Sequence, residues 1–139
     1  MNKLIPILAA LLLFLFACGN TSDPEPIHVE LPDTAIECIT VVMPLGPPGE
    51  AYYRVYTSPE PIAAISEHLT SLSLQQLRTE PDLPPGTFHY TLTLYFEDST
   101  TKQFLHGSYF VMSDVWYTFA SYEPRLDLST ILSNYPSCN

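Results

Sequence analysis

Apolar and polar positions alternate along most of the chain with the period of a β-strand. Ile36 to Met43 is built around β-branched residues and predicts a strand. Pro44-Leu45-Gly46-Pro47-Pro48-Gly49 reads as a turn, and Ala51 to Thr57 as a second strand paired antiparallel with the first. The clearest alternation runs from Phe88 to Glu97. Phe88, Tyr90, Leu92, Leu94 and Phe96 share one side, while His89, Thr91, Thr93, Tyr95 and Glu97 share the other. Asp98 to Thr101 is a turn, and Lys102 to Met112 returns as one strand. Setting Glu97 against Lys102 would pair Leu94 with Leu105 and Tyr90 with Tyr109. A further strand is expected from Val115 to Ser121, after a turn at Ser113-Asp114.

Two segments change period. Ser58-Pro59-Glu60 has a helix-opening composition, and Ile62, Ile65, Leu69 and Leu72 then fall on one helical stripe. The helix is expected from about Pro59 to Leu69. A weak edge strand around Leu74 and Leu77 follows before Pro81. Glu123-Pro124 opens a last helix with Leu128, Ile131, Leu132 and Tyr135 on its apolar side. The expected fold is α+β: a single small domain, with an antiparallel sheet and two helices packed mainly on one face.

The N-terminal pattern is of another kind. Lys3 is the only charge before an apolar run from Leu4 to Ala17. That run is shorter than the ~20 residues that span a bilayer. It has the shape of a secretory signal, and it ends at Leu15-Phe16-Ala17-Cys18. These four residues resemble the lipobox of bacterial lipoproteins. The resemblance implies a diacylglyceryl group on the Cys18 sulfur, with palmitate-type acyl chains, and cleavage between Ala17 and Cys18. It divides the chain into a signal peptide (1–17), a lipidated cysteine with a flexible tether (18–34) and an α+β domain (35–139). The tether is read from Asp23-Pro24-Glu25-Pro26, Glu30, Pro32 and Asp33, because acid and proline favour extended, solvated chain. The expected location is a cell membrane or outer membrane, on its extracytoplasmic side, with the Gram type of the envelope left open.

A second resemblance covers roughly residues 36 to 135. Thr57-Ser58-Pro59-Glu60-Pro61-Ile62, the helix to Leu72, Tyr90 to Asp98 and Trp116-Tyr117 are similar to segments of small uncharacterised lipoproteins of clostridia and related bacteria. The present chain departs from them in having Asp98-Ser99 where Asp-Gly is usual. The resemblance implies no established activity.

Composition narrows the function classes. Five basic residues against fifteen acidic ones give a net charge of −10, which argues against nucleic acid as a partner. The 14 prolines against 5 glycines fit short elements with stiff joints. Membrane attachment must then come from acyl chains and not from a basic patch.

Candidate chemistry is sparse. With Cys18 lipidated, Cys38 and Cys138 remain, and in an exported protein they can form a disulfide closing a loop of about 100 residues, worth ~4–5 kcal/mol in the chain-entropy model. The alternative is two unpaired thiols. Ser66-Glu67-His68 has the composition of a catalytic triad, yet helix geometry points Glu67 to solvent and puts Ser66 and His68 on opposite flanks, as for ordinary surface residues. His89 and His106 share the outer hairpin face in the proposed register, roughly 13 Å apart, too far for one metal ion. No nucleotide-binding, zinc-protease or nucleophile-elbow motif occurs. No catalytic residue, cofactor or metal site is therefore expected. Tyr95, Phe104, Phe110, Tyr117 and Phe119 all project from the supposed outer face and form a candidate partner surface, unless a further layer such as the last helix covers them.

The expected role is a non-catalytic binding module for an envelope protein or peptide. The alternatives are an extracytoplasmic enzyme or enzyme inhibitor, and a structural component of the envelope.

Overall fold

The computed structural model describes residues 24–44, 51–84, 88–120 and 124–135. The elements in chain order are β1 (Ile27–His28), β2 (Ile36–Pro44), β3 (Ala51–Tyr56), α1 (Pro59–Ser71), β4 (Ser73–Gln76), β5 (Phe88–Phe96), β6 (Thr101–Gly107), β7 (Phe110–Met112), β8 (Val115–Phe119) and α2 (Pro124–Asn134). The eight strands form one sheet in the order β1-β4-β8-β7-β6-β5-β2-β3, antiparallel at every step. Among the described residues the fold is mixed α+β and mostly β, an open sheet with two helices.

β2 and β3 form a hairpin at one end of the sheet, and β5 to β8 form a meander. The connection from β3 to β4 runs through α1 and carries the chain past the meander to the far side of β8. β4 therefore lies between β1 and β8 and is not an edge strand.

The register gathers one face into the core. Ile39 and Val41 of β2, Tyr56 of β3 and Leu92 and Leu94 of β5 share it with Phe104 and His106 of β6, Phe110 of β7 and Tyr117 of β8. All are buried. Ile65 and Leu69 of α1 and Leu128 and Leu132 of α2 complete the cluster. At ~1.5–3 kcal/mol per buried large apolar side chain, this one face supplies most of the drive to fold.

The β5–β6 register differs from the expected one. Leu94 faces Lys102, Leu92 faces Phe104 and Tyr90 faces His106. This is an offset of three residues, and an odd offset turns every side chain of β6 to the opposite face. The tight turn explains it. Ser99 has φ 65°, and the Phe96 amide bonds the Thr100 carbonyl oxygen at 3.0 Å, so pairing resumes at Thr101. The expected single return strand is also split. The Gly107 amide bonds the Tyr109 carbonyl oxygen at 3.0 Å, and β7 starts afresh at Phe110. The next turn holds Ser113 and Asp114 at φ 51° and 61°, the left-handed pair that a two-residue hairpin loop requires.

The segment read as a tether contributes to the body. Ile27 and His28 pair with Leu74 and Ser73, Val29 is buried at 3% exposure, and Leu31 packs on the core. The Lys102 ammonium donates to the Glu30 carbonyl oxygen at 2.9 Å, and Thr34 reaches Asp98. The folded part thus includes residues 27–31 and does not start at residue 35. Apolar Ile27, Val29 and Leu31 alternate with polar neighbours, a short strand pattern that the surrounding acid and proline obscured.

Candidate functional site

α1 forms as its composition directs. Pro59 sits in the first turn, Glu60 complements the positive helix end, and Ile65 and Leu69 are fully buried. The chain leaves at Leu72, whose amide bonds the Leu69 carbonyl oxygen at 3.2 Å. His28 of β1 donates from Nδ1 to the Leu72 carbonyl oxygen at 2.8 Å, tying β1 to the end of the helix.

Ser66-Glu67-His68 is not a triad. Glu67 is exposed, and the Ser66 hydroxyl donates back to the Ile62 carbonyl oxygen at 2.7 Å. His68 is not a surface residue, however. It lies one residue before Leu69 on the buried side, 5% exposed, and its Nε2 is 3.2 Å from Nε2 of His106. His106 is itself 1% exposed. The two rings join the last turn of α1 to a central strand. One must donate through Nε2–H while the other accepts through its lone pair.

Aromatic rings enclose the pair. The His106 ring meets Phe110 edge-on with centroids 5.8 Å apart, Phe119 at 5.3 Å and Tyr90 at 6.4 Å. Phe104 stacks on Phe110 at 5.6 Å. Both histidines make further interactions beyond these. Among the described residues, no buried side-chain nitrogen or oxygen lacks a partner.

The candidate partner surface is corrected accordingly. Phe104 and Phe110 are fully buried, Tyr117 is 6% exposed and Phe119 packs against the core. Tyr95 alone of the five is exposed, on the opposite face beside Cys38. The flipped β6 register brings Phe104 inward, and the rings of β7 and β8 follow it. His106 likewise leaves the outer face, and the side chain of His89 lies outside the described set.

The exposed aromatic surface is elsewhere. Tyr52 and Tyr53 of β3 are 56% and 58% exposed, on a strand that ends the sheet. The Arg54 guanidinium lies 5.9 Å from the Tyr52 ring centroid, within cation–π reach. A separate surface recess of about 250 Å³ lies along β6 and β7, lined by residues including Lys102, Gln103, Met112 and Asp114.

The half-buried Cys38 thiol has its pKa raised by burial and, secondarily, by the Glu37 carboxylate. Its expected disulfide partner, Cys138, lies outside the described residues, as do Cys18 and the apolar N-terminal run. Among the described residues, no cluster of three or more His, Cys, Asp or Glu is arranged to hold a metal ion. No helix among them is long and apolar enough to cross a membrane. Comparison with known proteins finds no matching family model, no matching curated protein and no matching solved structure.

Proposed function

We propose that the protein is a non-catalytic extracytoplasmic binding module, anchored to a cell membrane or outer membrane by acyl chains on Cys18, which takes an extended segment of an envelope protein along β3. The anchor rests on the lipobox-like Leu15-Phe16-Ala17-Cys18 behind an apolar run. Two acyl chains at ~0.8 kcal/mol per buried CH₂ hold firmly without any basic patch.

The binding role rests on the edge strand. Among the described residues β3 is the last strand of the sheet, and it carries two adjacent tyrosines more than half exposed. An extended segment laid along a terminal strand meets side chains on either face, which supply specificity. Tyrosine contributes large contact area with a polar tip. On this reading both helices cover the face that carries Leu92, Phe104 and His106. Support comes from His68 on His106 and from Arg54 reaching Leu132 of α2. The opposite face, with Tyr53 and Tyr95, is left to solvent.

Photo-crosslinking in intact cells tests the role. A crosslinking residue replacing Tyr53 should trap one discrete protein, whereas the same residue replacing the exposed Glu67 of α1 should trap none. Equal, diffuse crosslinking from both positions would contradict it.

A further inference from the structure

We propose that the recess between β6 and the β7–β8 turn is a docking slot for a short extended segment of a basic partner protein, which adds to β6 as a strand. The recess arises from unequal strand lengths. β6 starts at Thr101, whereas β7 stops at Met112, opposite Phe104. Ser113 and Asp114 then turn the chain back with left-handed φ of 51° and 61°. Thr101 to Gln103 therefore run past the end of β7, and the space beside them is the recess of about 250 Å³. It is open to solvent, because Thr101, Gln103, Ser113 and Asp114 around it are all exposed.

The backbone of β6 faces this space. Along an antiparallel strand, successive residues turn their N–H and C=O to opposite neighbours. The Phe96 amide bonds the Thr100 carbonyl oxygen, so by register Lys102 and Phe104 turn theirs to β5. The Gly107 amide bonds the Tyr109 carbonyl oxygen, so Leu105, Gln103 and Thr101 turn theirs the other way. Leu105 meets Val111 of β7 there, while Gln103 and Thr101 meet the recess. At ~3.3 Å per residue, the stretch from Thr101 to Phe104 is about 10 Å long, enough for roughly three residues of an added strand.

Charge selects the occupant. Exposed carboxylates stand at both ends of the slot: Glu97 and Asp98 in the turn that precedes Thr101, and Asp114 in the turn that follows Met112. Lys102 also lines the recess, but its ammonium is engaged by the Glu30 carbonyl oxygen at 2.9 Å. Its single charge is set against those three carboxylates. Fifteen acidic residues against five basic ones make a second copy of this chain a poor occupant and a basic segment a good one. Such a segment pairs its backbone with Thr101 and Gln103, and its cations meet the acids at either end. The slot is distinct from the β3 surface, since β5 and β2 lie between β6 and β3.

Amide hydrogen exchange on the full-length chain in detergent micelles tests the slot. The probe is the end-blocked peptide Lys-Val-Lys-Val-Lys, and the control is Glu-Val-Glu-Val-Glu. With the free lysine peptide at about ten times its dissociation constant, the Thr101 and Gln103 amides should exchange about tenfold more slowly. The Tyr53 amide of β3 should keep its rate, and the glutamate peptide should protect neither site. Gln103→Pro removes an N–H that β5 does not use, and it should abolish the protection of Thr101. Asp114→Asn, which tolerates the left-handed turn, should weaken the lysine peptide several-fold. Should the proline variant not fold, the two peptides on the wild-type chain decide. Unchanged exchange at Thr101 and Gln103, equal protection by both peptides, or full protection of Thr101 in the Gln103→Pro chain would each overturn the proposal. Protection of Tyr53 alone would overturn it while supporting the reading of β3.

Discussion

Arg54 of the edge strand β3 donates from Nη1 to the backbone carbonyl oxygen of Leu132, in the last turn of α2. The helix has no basic residue of its own there. Arg54 supplies the cation that complements its carbonyl end from across the fold. The same nitrogen lies 3.5 Å from the Tyr56 hydroxyl, so one half-buried guanidinium ties the edge strand to the terminal helix. Arg54→Met keeps the aliphatic stem but removes the charged donor. It should cost about 1.5–3 kcal/mol in chemical denaturation and accelerate exchange in α2. A change within ~0.5 kcal/mol would mean that the contact carries no net stability.

The core assignment of the meander aromatics can be separated from a surface role. Phe104→Ala should destabilise by about 3–5 kcal/mol, because it empties a fully buried site stacked on Phe110. Tyr95→Ala, on the exposed face, should stay within ~0.5 kcal/mol. Denaturation midpoints of the two variants check this. Similar effects would mean that the faces of β5 and β6 are assigned wrongly.

Asp98 organises the β5–β6 turn. Its carboxylate accepts the Thr100 hydroxyl at 2.6 Å and the Thr100 amide at 3.0 Å. These two bonds, the hydroxyl first, hold its pKa below the ordinary aspartate value. Any stabilisation from this group is present above the unfolded aspartate pKa and is lost as pH falls through the folded one. Carboxyl NMR should show a depressed midpoint, and Thr100→Val should move it back up. An unshifted midpoint in the wild type would contradict the turn geometry.

Cys38 should behave as a sluggish nucleophile. Burial, aided by Glu37, raises its pKa, so thiolate is scarce at neutral pH. In reducing buffer its alkylation should be slower than that of a free cysteine, and Glu37→Gln should speed it. Rapid alkylation at neutral pH would contradict this. Mass analysis of the unreduced chain, with and without reductant, decides separately whether Cys38 is bonded to Cys138.

The elements with a single strong period could be read from the sequence. The Ile62-Ile65-Leu69-Leu72 stripe places α1 correctly, and the alternation from Tyr90 to Phe96 identifies the inward side of β5. β6 could not be assigned by pattern, because both of its sides carry apolar residues: Phe104 on one, Leu105 on the other. Its face depends on the turn, where Ser99 takes a left-handed conformation that its residue type does not announce. The contact between His68 and His106 joins residues 38 positions apart. Local periodicity has no access to it, since it depends on the path of α1 across the sheet. The exposure of the β3 tyrosines is not legible in the sequence, because a strand's position in the sheet order is not a property of local sequence.

The proposed anchor at Cys18 would determine where every other proposed property operates. Intact mass and N-terminal fragmentation of the protein purified from the membranes of its own cells test it directly. The account predicts a chain that begins at Cys18 and carries the added mass of a diacylglyceryl thioether, with Cys18→Ser abolishing both the cleavage and the lipid. A mature chain that retains residues 1–17, or an unmodified Cys18 thiol, would contradict it.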